Sequence, residues 1–203
     1  FILNFSVPES IVELLPNSVD VDLVRALSAP ESRLDLNGIC YVASGRLTFQ
    51  KGFDRLIKWI AKLENKKSTL VILGEGSLKD ELISEVELLG IHDRVQFLGF
   101  CNNPWQWYSG ADVFLLPSRW EGMPNVVLES LACGTPVIAM SDSGGIEEIK
   151  RESKPGSVTV VESGEQFIKA MNLVLLKKEK RECNSLLPNI YQLAQGGTAV
   201  GTG

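Results

Sequence analysis

Short apolar segments rich in β-branched residues alternate with longer amphipathic segments between residues 39 and 178. The apolar segments are predicted to be strands, at 39–43, 69–73, 94–98, 112–116, 136–140 and 157–161. The amphipathic segments are predicted to be helices, at 53–64, 78–89, 104–110, 124–133 and 164–178. Strands that are apolar throughout are typical of a parallel sheet covered by helices on both faces. The sequence therefore predicts an α/β fold with a Rossmann-like, doubly wound parallel sheet.

The composition argues against several other kinds of protein. The 203 residues carry a net charge of −5, whereas broad binding to nucleic acid requires a basic face. No stretch of about 20 mostly apolar residues is present, so the sequence predicts no transmembrane helix. His92 is the only histidine, which excludes a histidine-rich metal site, and it is predicted to be a loop residue.

The cysteine pattern indicates a reducing compartment. Cys40, Cys101, Cys133 and Cys183 lie far apart and form no CxxC pair. Cys40 and Cys133 lie in apolar segments and are predicted to be small buried hydrophobic residues. Disulfides persist mainly in oxidising compartments, so we expect a cytoplasmic protein with free thiols.

Two cations follow the first predicted strand. Ligands of doubly wound sheets bind outside the carboxyl ends of the strands, where Arg46 and Lys51 should lie. A guanidinium and an ammonium at this place could neutralise a diphosphate. Taken alone, two cations beside a glycine are more often ordinary surface charges.

Two glutamates flank a predicted helix start after the fourth strand. Glu121 lies on the loop, and Glu129 lies roughly 7 Å further along the helix axis. The helix N-terminus between them favours phosphate, because its first N–H groups have no partner within the helix. A nucleotide sugar, with ribose, pyrophosphate and sugar in a row, matches this arrangement. On spacing alone the alternative stays open that both glutamates merely complement the helix dipole.

The glycine-rich turns carry weaker signals. Gly74-Glu75-Gly76 lacks a third glycine and is interpreted as a tight turn. Gly144-Gly145 either brings the backbone close to a ligand or forms a simple turn. No P-loop motif occurs, and the loop Ser44–Phe49 lacks the second and third glycines of a dinucleotide-binding motif. An NAD-dependent oxidoreductase is therefore a weak alternative.

Several motifs in register resemble those of the group 1 glycosyltransferases, the retaining family 4 with the GT-B fold. They are Gly45-Arg46-Leu47 with Lys51-Gly52, Leu73 to Gly76, Val95 to Gly99, Ala111 to Val113, Pro117-Ser118, Glu121 to Glu129, Ala132 to Val137 and Gly144-Gly145. The resemblance is strong over 38–150 and extends to 178. It implies that residues 38–182 are the second, nucleotide-sugar-binding Rossmann-like domain of a two-domain GT-B protein.

The chain ends fall outside the alternating pattern. Leu15 to Asp20 resembles the segment that enters the second domain of that family, so 1–37 is assigned to a remnant of the preceding domain and a linker. Residues 183–203 end in a polar, glycine-rich run and are predicted to be a flexible tail. With the first domain missing, we expect the chain to bind donor weakly and to transfer nothing efficiently.

The resemblance also assigns roles to individual residues. It implies that Arg46 and Lys51 hold the donor diphosphate, that Glu121 contacts the donor sugar, and that Glu129 binds the ribose hydroxyls. Arg46, Lys51 and Glu121 are therefore the catalytic candidates. Further donor contacts, mainly through the backbone, are expected from Gly122, Met123, Asn125, Val126, Leu98 and Gly99.

The implied activity is transfer of a hexose-type sugar from a nucleotide sugar to a glycan or lipid-linked acceptor. The segment Trp120–Asn125 resembles that of members that use UDP-sugars, so a UDP-sugar is the favoured donor. The acceptor would bind through the missing domain, and the setting would be polysaccharide biosynthesis at the inner face of the membrane. Neither a metal nor a cofactor is expected, since the nucleotide sugar is a substrate. The alternative function is a nucleotide- or sugar-binding module without catalysis.

Overall fold

The computed structural model describes residues 17–28, 38–175 and 184–193, in which six strands and seven helices occur. The strands are β1 (Cys40–Ser44), β2 (Thr69–Leu73), β3 (Val95–Gly99), β4 (Val113–Leu116), β5 (Val137–Met140) and β6 (Val158–Val161). The helices are α1 (Val21–Leu27), α2 (Phe53–Ala61), α3 (Lys79–Leu88), α4 (Trp105–Gly110), α5 (Asn125–Ala132), α6 (Ile146–Glu152) and α7 (Gly164–Asn172). Short 3₁₀ turns lie at Phe49–Lys51, His92–Arg94 and Asn189–Tyr191.

The six strands form one sheet in the order β3-β2-β1-β4-β5-β6. Every neighbouring pair is parallel. The chain begins in the middle of the sheet with β1 and adds β2 and β3 towards one edge. It then returns to the middle and adds β4, β5 and β6 towards the other edge, so the strand order reverses between β1 and β4. The predicted doubly wound sheet is confirmed, and its ligand crevice is expected at the carboxyl ends of β1 and β4.

Successive side chains of a strand point to opposite faces, so each central strand contributes to two cores. In β1, Tyr41 and Ala43 pack against the face covered by α2, α3 and α7. Cys40 and Val42 pack against the other face, which α1, α4, α5 and α6 cover. Burial on both faces explains why the strand segments are apolar throughout. Buried Cys40 and Cys133 agree with the sequence prediction, whereas Cys183 lies outside the described residues.

Two helices are absent from the sequence prediction. Helix α6 has 7 residues, of which only Ile146 and Ile149 are buried, so its amphipathic pattern is too short to detect. Helix α1 also has 7 residues and buries only Val24. The last predicted helix is shorter than expected, because α7 ends at Asn172. Residues 176–178 of that prediction lie outside the described residues.

Residues 184–193 correct the expectation of a flexible tail for that part of the chain. Tyr191 is fully buried, and Leu187 is 4% exposed. The backbone N–H of Leu186 donates to the Leu131 carbonyl of α5 at 2.7 Å, and Val19 forms a parallel bridge with Gln192. These apolar residues anchor the segment, although a polar, glycine-rich run follows it. Residues 194–203 lie outside the described residues, and the boundaries at 38 and 182 stay a prediction.

Candidate functional site

The loops after β1 and β4 meet at the carboxyl edge of the sheet. The 3₁₀ turn Phe49–Lys51 precedes α2, and the loop after β4 lies directly against it. The Arg119 backbone N–H donates to the Gln50 carbonyl at 2.8 Å, and the Gln50 side-chain amide donates to the Trp120 carbonyl at 3.0 Å. The topology thus joins two segments that are about 70 residues apart in sequence.

Lys51 and Glu121 form an ion pair at this junction. Lys51 Nζ lies 2.6 Å from Glu121 Oε1, and Ser118 Oγ donates to the same oxygen at 2.6 Å. The two charged side chains are 17% and 9% exposed. Among the described residues, Glu121 Oε2 has no hydrogen-bond donor. The carboxylate is therefore fixed through one oxygen, while its second oxygen can accept a bond from a ligand.

Arg46 lies beside this pair on the wall of a pocket. The methylene stem of Lys51 lies over Gly45, since a Cβ added at Gly45 would be 3.3 Å from Lys51 Cδ. Among the described residues the Arg46 side chain is exposed and forms no ion pair. The pocket has a volume of about 380 Å³ and is lined by Ser44, Gly45, Arg46, Leu73, Gly74, Glu75, Phe100, Cys101 and Pro104. A guanidinium with free donors at the mouth of such a pocket is suited to an anionic ligand.

Backbone hydrogen bonds join the loops around this pocket. The Gly45 N–H donates to the Leu73 carbonyl at 3.0 Å, and the Gly74 N–H donates to the Gly99 carbonyl at 2.7 Å. The Leu47 N–H donates to the Glu75 carbonyl at 2.9 Å. The hydrogen-bond ladder of the sheet therefore continues past the strand ends into the rim loops.

Arg55 and Arg119 hold the loop that carries Glu121. Arg55 Nε donates to the Pro117 carbonyl and Arg55 Nη2 to the Ser118 carbonyl, both at 2.7 Å. Arg119 binds the Asp54 carboxylate through two bonds of 2.8 and 2.7 Å. These bonds hold the pKa of Asp54 below its ordinary value of 3.8, although burial opposes them. The paired carboxylate and guanidinium fix the loop to the first turn of α2.

Sequence reasoning missed Asp54, Arg55, Arg119 and Ser118. Asp54 and Arg55 lie in the first turn of α2 and have their partners on the loop after β4. Ser118 bonds Glu121 within a turn whose conformation the sequence does not reveal. Their only signal was position, because Asp54 and Arg55 directly follow Lys51-Gly52, and Ser118 and Arg119 follow the fourth strand.

The pair Gly144-Gly145 packs against the Glu121 loop. A Cβ added at Gly144 would lie 2.4 Å from the Glu121 carbonyl oxygen. Ser143 Oγ also donates to the Ser118 carbonyl at 3.2 Å. The two glycines therefore allow a close approach of their backbone, as one of the two interpretations of the sequence expects. The group that they approach is the backbone of the Glu121 loop and not a ligand.

The start of α5 lies directly after Glu121. The backbone N–H groups of Asn125 and Val126 open the helix and have no partner within it. Gly122 is exposed and Met123 is half-buried, whereas the Asn125 side chain accepts a bond of 2.6 Å from Asn17 Nδ2. This helix start provides donors beside the ion pair, and the donor contacts expected from Gly122, Met123, Asn125 and Val126 stay a prediction.

Glu129 lies one turn inside α5 and is largely shielded from solvent. Burial raises the pKa of its carboxyl above the ordinary 4.5. The Trp105 indole N–H is buried without a hydrogen bond of standard geometry to the described residues, yet it lies close enough to lower that pKa in part. The Glu129 carboxyl also raises the pKa of Tyr108, after the larger effect of burial. Glu129 thus lies beside Trp105 and Tyr108 of α4.

Leu98 and Gly99 are the last residues of β3, directly before the pocket residues Phe100 and Cys101. Leu98 is 39% exposed, and Gly99 has a left-handed backbone with φ of 72°. The pocket wall itself is formed by the next two residues, Phe100 and Cys101. A ligand in the pocket would therefore meet the residues just after the predicted pair.

A larger apolar pocket of about 430 Å³ lies at the opposite, amino-terminal edge of the sheet, between β4, β5, β6 and α7. Ligands of doubly wound sheets bind at the carboxyl edge, so the smaller pocket is the candidate site. Within the described part of the chain, no group of three or more His, Cys, Asp or Glu side chains could hold a metal ion. No helix among the described residues is long and apolar enough to cross a membrane.

The family model described as Glycosyl transferases group 1 matches residues 25–184. The chain belongs to the group 1 glycosyltransferases. Of the motif residues, Arg46, Lys51 and Glu121 lie at the carboxyl edge of the sheet, and Glu129 lies on the adjoining helix α5.

Curated relatives of this chain include two bacterial proteins. The chain is 32% identical over 172 residues to a Campylobacter jejuni protein named N-acetylgalactosamine-N,N'-diacetylbacillosaminyl-diphospho-undecaprenol 4-alpha-N-acetylgalactosaminyltransferase, covering 85% of this chain and 46% of that protein. It is 30% identical over 159 residues to the lipopolysaccharide core biosynthesis glycosyltransferase LpsE of Rhizobium meliloti, covering 77% of this chain and 46% of LpsE. The chain thus spans about half the length of these relatives.

Solved structures agree with the fold assignment. The lipopolysaccharide outer core galactosyltransferase WaaB superposes with a TM-score of 0.68 and 25% identity, over 85% of this chain and 49% of WaaB. The C-terminal domain of a Francisella tularensis group 1 protein, LpcC, superposes with a TM-score of 0.64 and 23% identity, over 77% of this chain and 87% of that domain. The neighbours are GT-B glycosyltransferases, so the predicted fold class is confirmed.

Proposed function

We propose that this chain binds the nucleotide-sugar donor of a retaining glycosyltransferase that transfers a hexose-type sugar to a glycan or lipid-linked acceptor. The observation that carries the proposal is the Lys51–Glu121 pair at the change of direction of the sheet, beside the free Arg46 guanidinium. Two cations, a carboxylate with one open oxygen and a helix start together match a diphosphate joined to a sugar.

The proposed chemistry is breakage of the bond between the anomeric carbon and the β-phosphate oxygen. The electron pair stays on that oxygen, where Arg46 and Lys51 would stabilise the departing nucleoside diphosphate. The acceptor hydroxyl oxygen forms the new bond with retained anomeric configuration, and its proton passes to the departing β-phosphate oxygen. Because Lys51 contacts Glu121 at 2.6 Å without donor, the diphosphate must share or replace that contact.

The donor and acceptor classes rest on likeness to other proteins. A UDP-sugar is favoured because the segment Trp120–Asn125 resembles that of members using UDP-sugars. The Campylobacter jejuni relative is named as adding N-acetylgalactosamine to a diphospho-undecaprenol-linked saccharide. This relative supports a lipid-linked acceptor, and LpsE, which is named for lipopolysaccharide core biosynthesis, supports a role in polysaccharide biosynthesis.

Alanine at Glu129 and alanine at Glu121 should have different effects on binding. Glu129 is proposed to accept hydrogen bonds from the ribose hydroxyls. Glu129→Ala should therefore weaken the binding of UDP and of UDP-glucose by similar factors, about 10- to 150-fold. Glu121 is proposed to contact only the sugar, so Glu121→Ala should leave the UDP affinity nearly unchanged and weaken UDP-glucose. Calorimetric titration of both variants with both ligands measures these factors.

The matched control is Glu87→Ala, which removes an exposed glutamate of α3 far from the crevice. It should change neither affinity. The assignment of roles is wrong if Glu121→Ala weakens UDP as strongly as Glu129→Ala does. If neither variant changes either affinity, both carboxylates only complement the helix dipole and the donor site lies elsewhere. Titration with GDP- and ADP-sugars then tests the choice of nucleotide.

The raised pKa of Glu129 predicts opposite pH effects on binding and on stability. UDP affinity should fall with decreasing pH through the raised pKa, because the ionised carboxylate accepts the ribose bonds. The free energy of unfolding should fall as pH rises from the ordinary value of 4.5 to the raised value, since the folded state binds the proton more tightly there. Glu129→Gln should make UDP affinity weaker and less pH-dependent, and should raise the Tm of the free protein at neutral pH. Titrations and thermal melts across this pH range test both effects, and a lower Tm for the variant would contradict the assignment.

A further inference from the structure

Among the described residues, the exposed aromatic side chains all lie at the carboxyl edge of the sheet. Phe49, Phe100 and Trp120 are 59%, 76% and 52% exposed, and all three lie on loops after strand ends. The other exposed large apolar side chains among the described residues are aliphatic, and they are Leu23, Leu27, Leu88, Leu98, Leu173, Leu175, Ile190 and Leu193. Two of these three, Phe49 and Trp120, contact each other, and exposed aromatic side chains gathered in this way indicate a binding surface rather than chance exposure.

Phe49 and Trp120 form a pair, while Phe100 lines the pocket. Their ring centroids are 6.2 Å apart with an interplanar angle of 53°. The Arg119 guanidinium lies 3.8 Å from the centroid of the Phe49 ring, and the same guanidinium is held by Asp54. The Gln50 amide holds the Trp120 carbonyl at 3.0 Å. The two rings are thus fixed in the ligand-free protein, which lowers the entropy cost of binding.

The pair lies next to the proposed reaction site. Trp120 directly precedes Glu121, and Phe49 lies two residues before Lys51. Glu121 is 9% exposed, whereas both rings are more than half exposed, so the rings stand on the solvent side of the ion pair. A second substrate reaching the sugar at Glu121 from solvent would pass these rings.

Resting on the proposed function, we propose that the Phe49–Trp120 pair binds a pyranose ring of the acceptor. The C–H face of a pyranose packs on aromatic rings, while its hydroxyls need nearby polar groups. Gln50 and Arg119 supply polar groups beside the rings. The donor sugar is the weaker candidate occupant, because it is joined to the diphosphate and must lie at the shielded Glu121 carboxylate.

The test is ¹⁹F NMR of the 203-residue chain labelled with 5-fluorotryptophan. Trp59, Trp105 and Trp107 serve as internal references, and Trp120→Phe assigns the fourth resonance. Methyl glucoside, methyl galactoside and methyl N-acetylglucosaminide are titrated with saturating UDP present. We expect at least one glycoside to shift the Trp120 resonance saturably, and Phe49→Ala to weaken that glycoside by at least about threefold. Leu88→Ala, an exposed apolar side chain on α3, should leave the response unchanged.

Three outcomes would decide against the proposal or separate it from the proposed function. If UDP binds but no glycoside shifts Trp120, the acceptor surface is wrong while the donor site stands. If UDP-glucose shifts Trp120 beyond the effect of UDP and no methyl glycoside does, the rings contact the donor sugar, and the acceptor assignment is overturned. If glycosides shift Trp120 in a chain that binds no nucleotide, the sugar surface is supported and the proposed donor function fails.

Discussion

Replacing Arg46 and Lys51 together with alanine should raise the Kd for UDP by about 10²- to 10⁴-fold. Each cation is proposed to make charge-assisted bonds to the diphosphate, and each such interaction contributes about 1.5–3 kcal/mol. Uridine carries no phosphate, so its affinity should stay unchanged. Calorimetric titration with UDP and uridine measures both values.

The matched control is the double variant Lys150→Ala, Arg151→Ala, which removes the same number of exposed cations from α6. This control variant should change the Kd for UDP only slightly, because salt screens charges that lie far from the crevice. An equal loss of UDP affinity in the control would mean that net charge, and not contact, determines binding. An equal loss of uridine affinity in the Arg46, Lys51 variant would mean that the crevice itself has changed. Lys51→Gln adds a check, because it keeps a donor near Glu121 while removing the charge.

Gly52→Ala should destabilise the protein by about 2–4 kcal/mol and lower the Tm by about 5–15 °C. Gly52 has a φ of 70°, and an added Cβ would lie 2.1 Å from the Pro117 carbonyl oxygen. The strand-end loops would have to separate there, which displaces Lys51 from Glu121. UDP affinity should therefore fall even at temperatures where the variant is folded. Thermal melts and titrations measure the two effects.

Gly90→Ala separates the two causes of this loss. Gly90 has a φ of 65°, close to that of Gly52, but an added Cβ would meet nothing within 4 Å. Its substitution should cost only the conformational penalty of a left-handed residue, about 1–2 kcal/mol, and should leave UDP affinity unchanged. Equal losses of stability in both variants would show that the close approach of the two loops contributes nothing.

The sequence predicts the sheet well because burial leaves a strong signal. Strands such as β2 (Thr69–Leu73) are buried at every position, so their apolar runs stand out. The short helix α6 buries only two side chains and left no such signal. Likewise, Tyr191 is buried by contacts with distant segments, which a local pattern of polar and glycine residues does not reveal.

The site is predicted only in its principal residues. The motifs and the strand ends indicate Arg46, Lys51 and Glu121 as neighbours, and the structure brings Lys51 and Glu121 together. The Arg119–Asp54 pair spans 65 residues and could not be found without the fold. The raised pKa of Glu129 depends on its burial within the packed helices, and sequence spacing carries no information about burial of that kind.

The main-chain bonds between the rim loops have a consequence for the divergence of specificity. The Gly45, Leu47 and Gly74 N–H groups bind carbonyls of neighbouring loops, so backbone atoms alone fix that part of the rim. Side chains at Glu75 or Phe100 can therefore be exchanged without reshaping the wall that carries them. Libraries that vary such positions should yield folded proteins with altered ligand preference, so the same rim can serve many different donors.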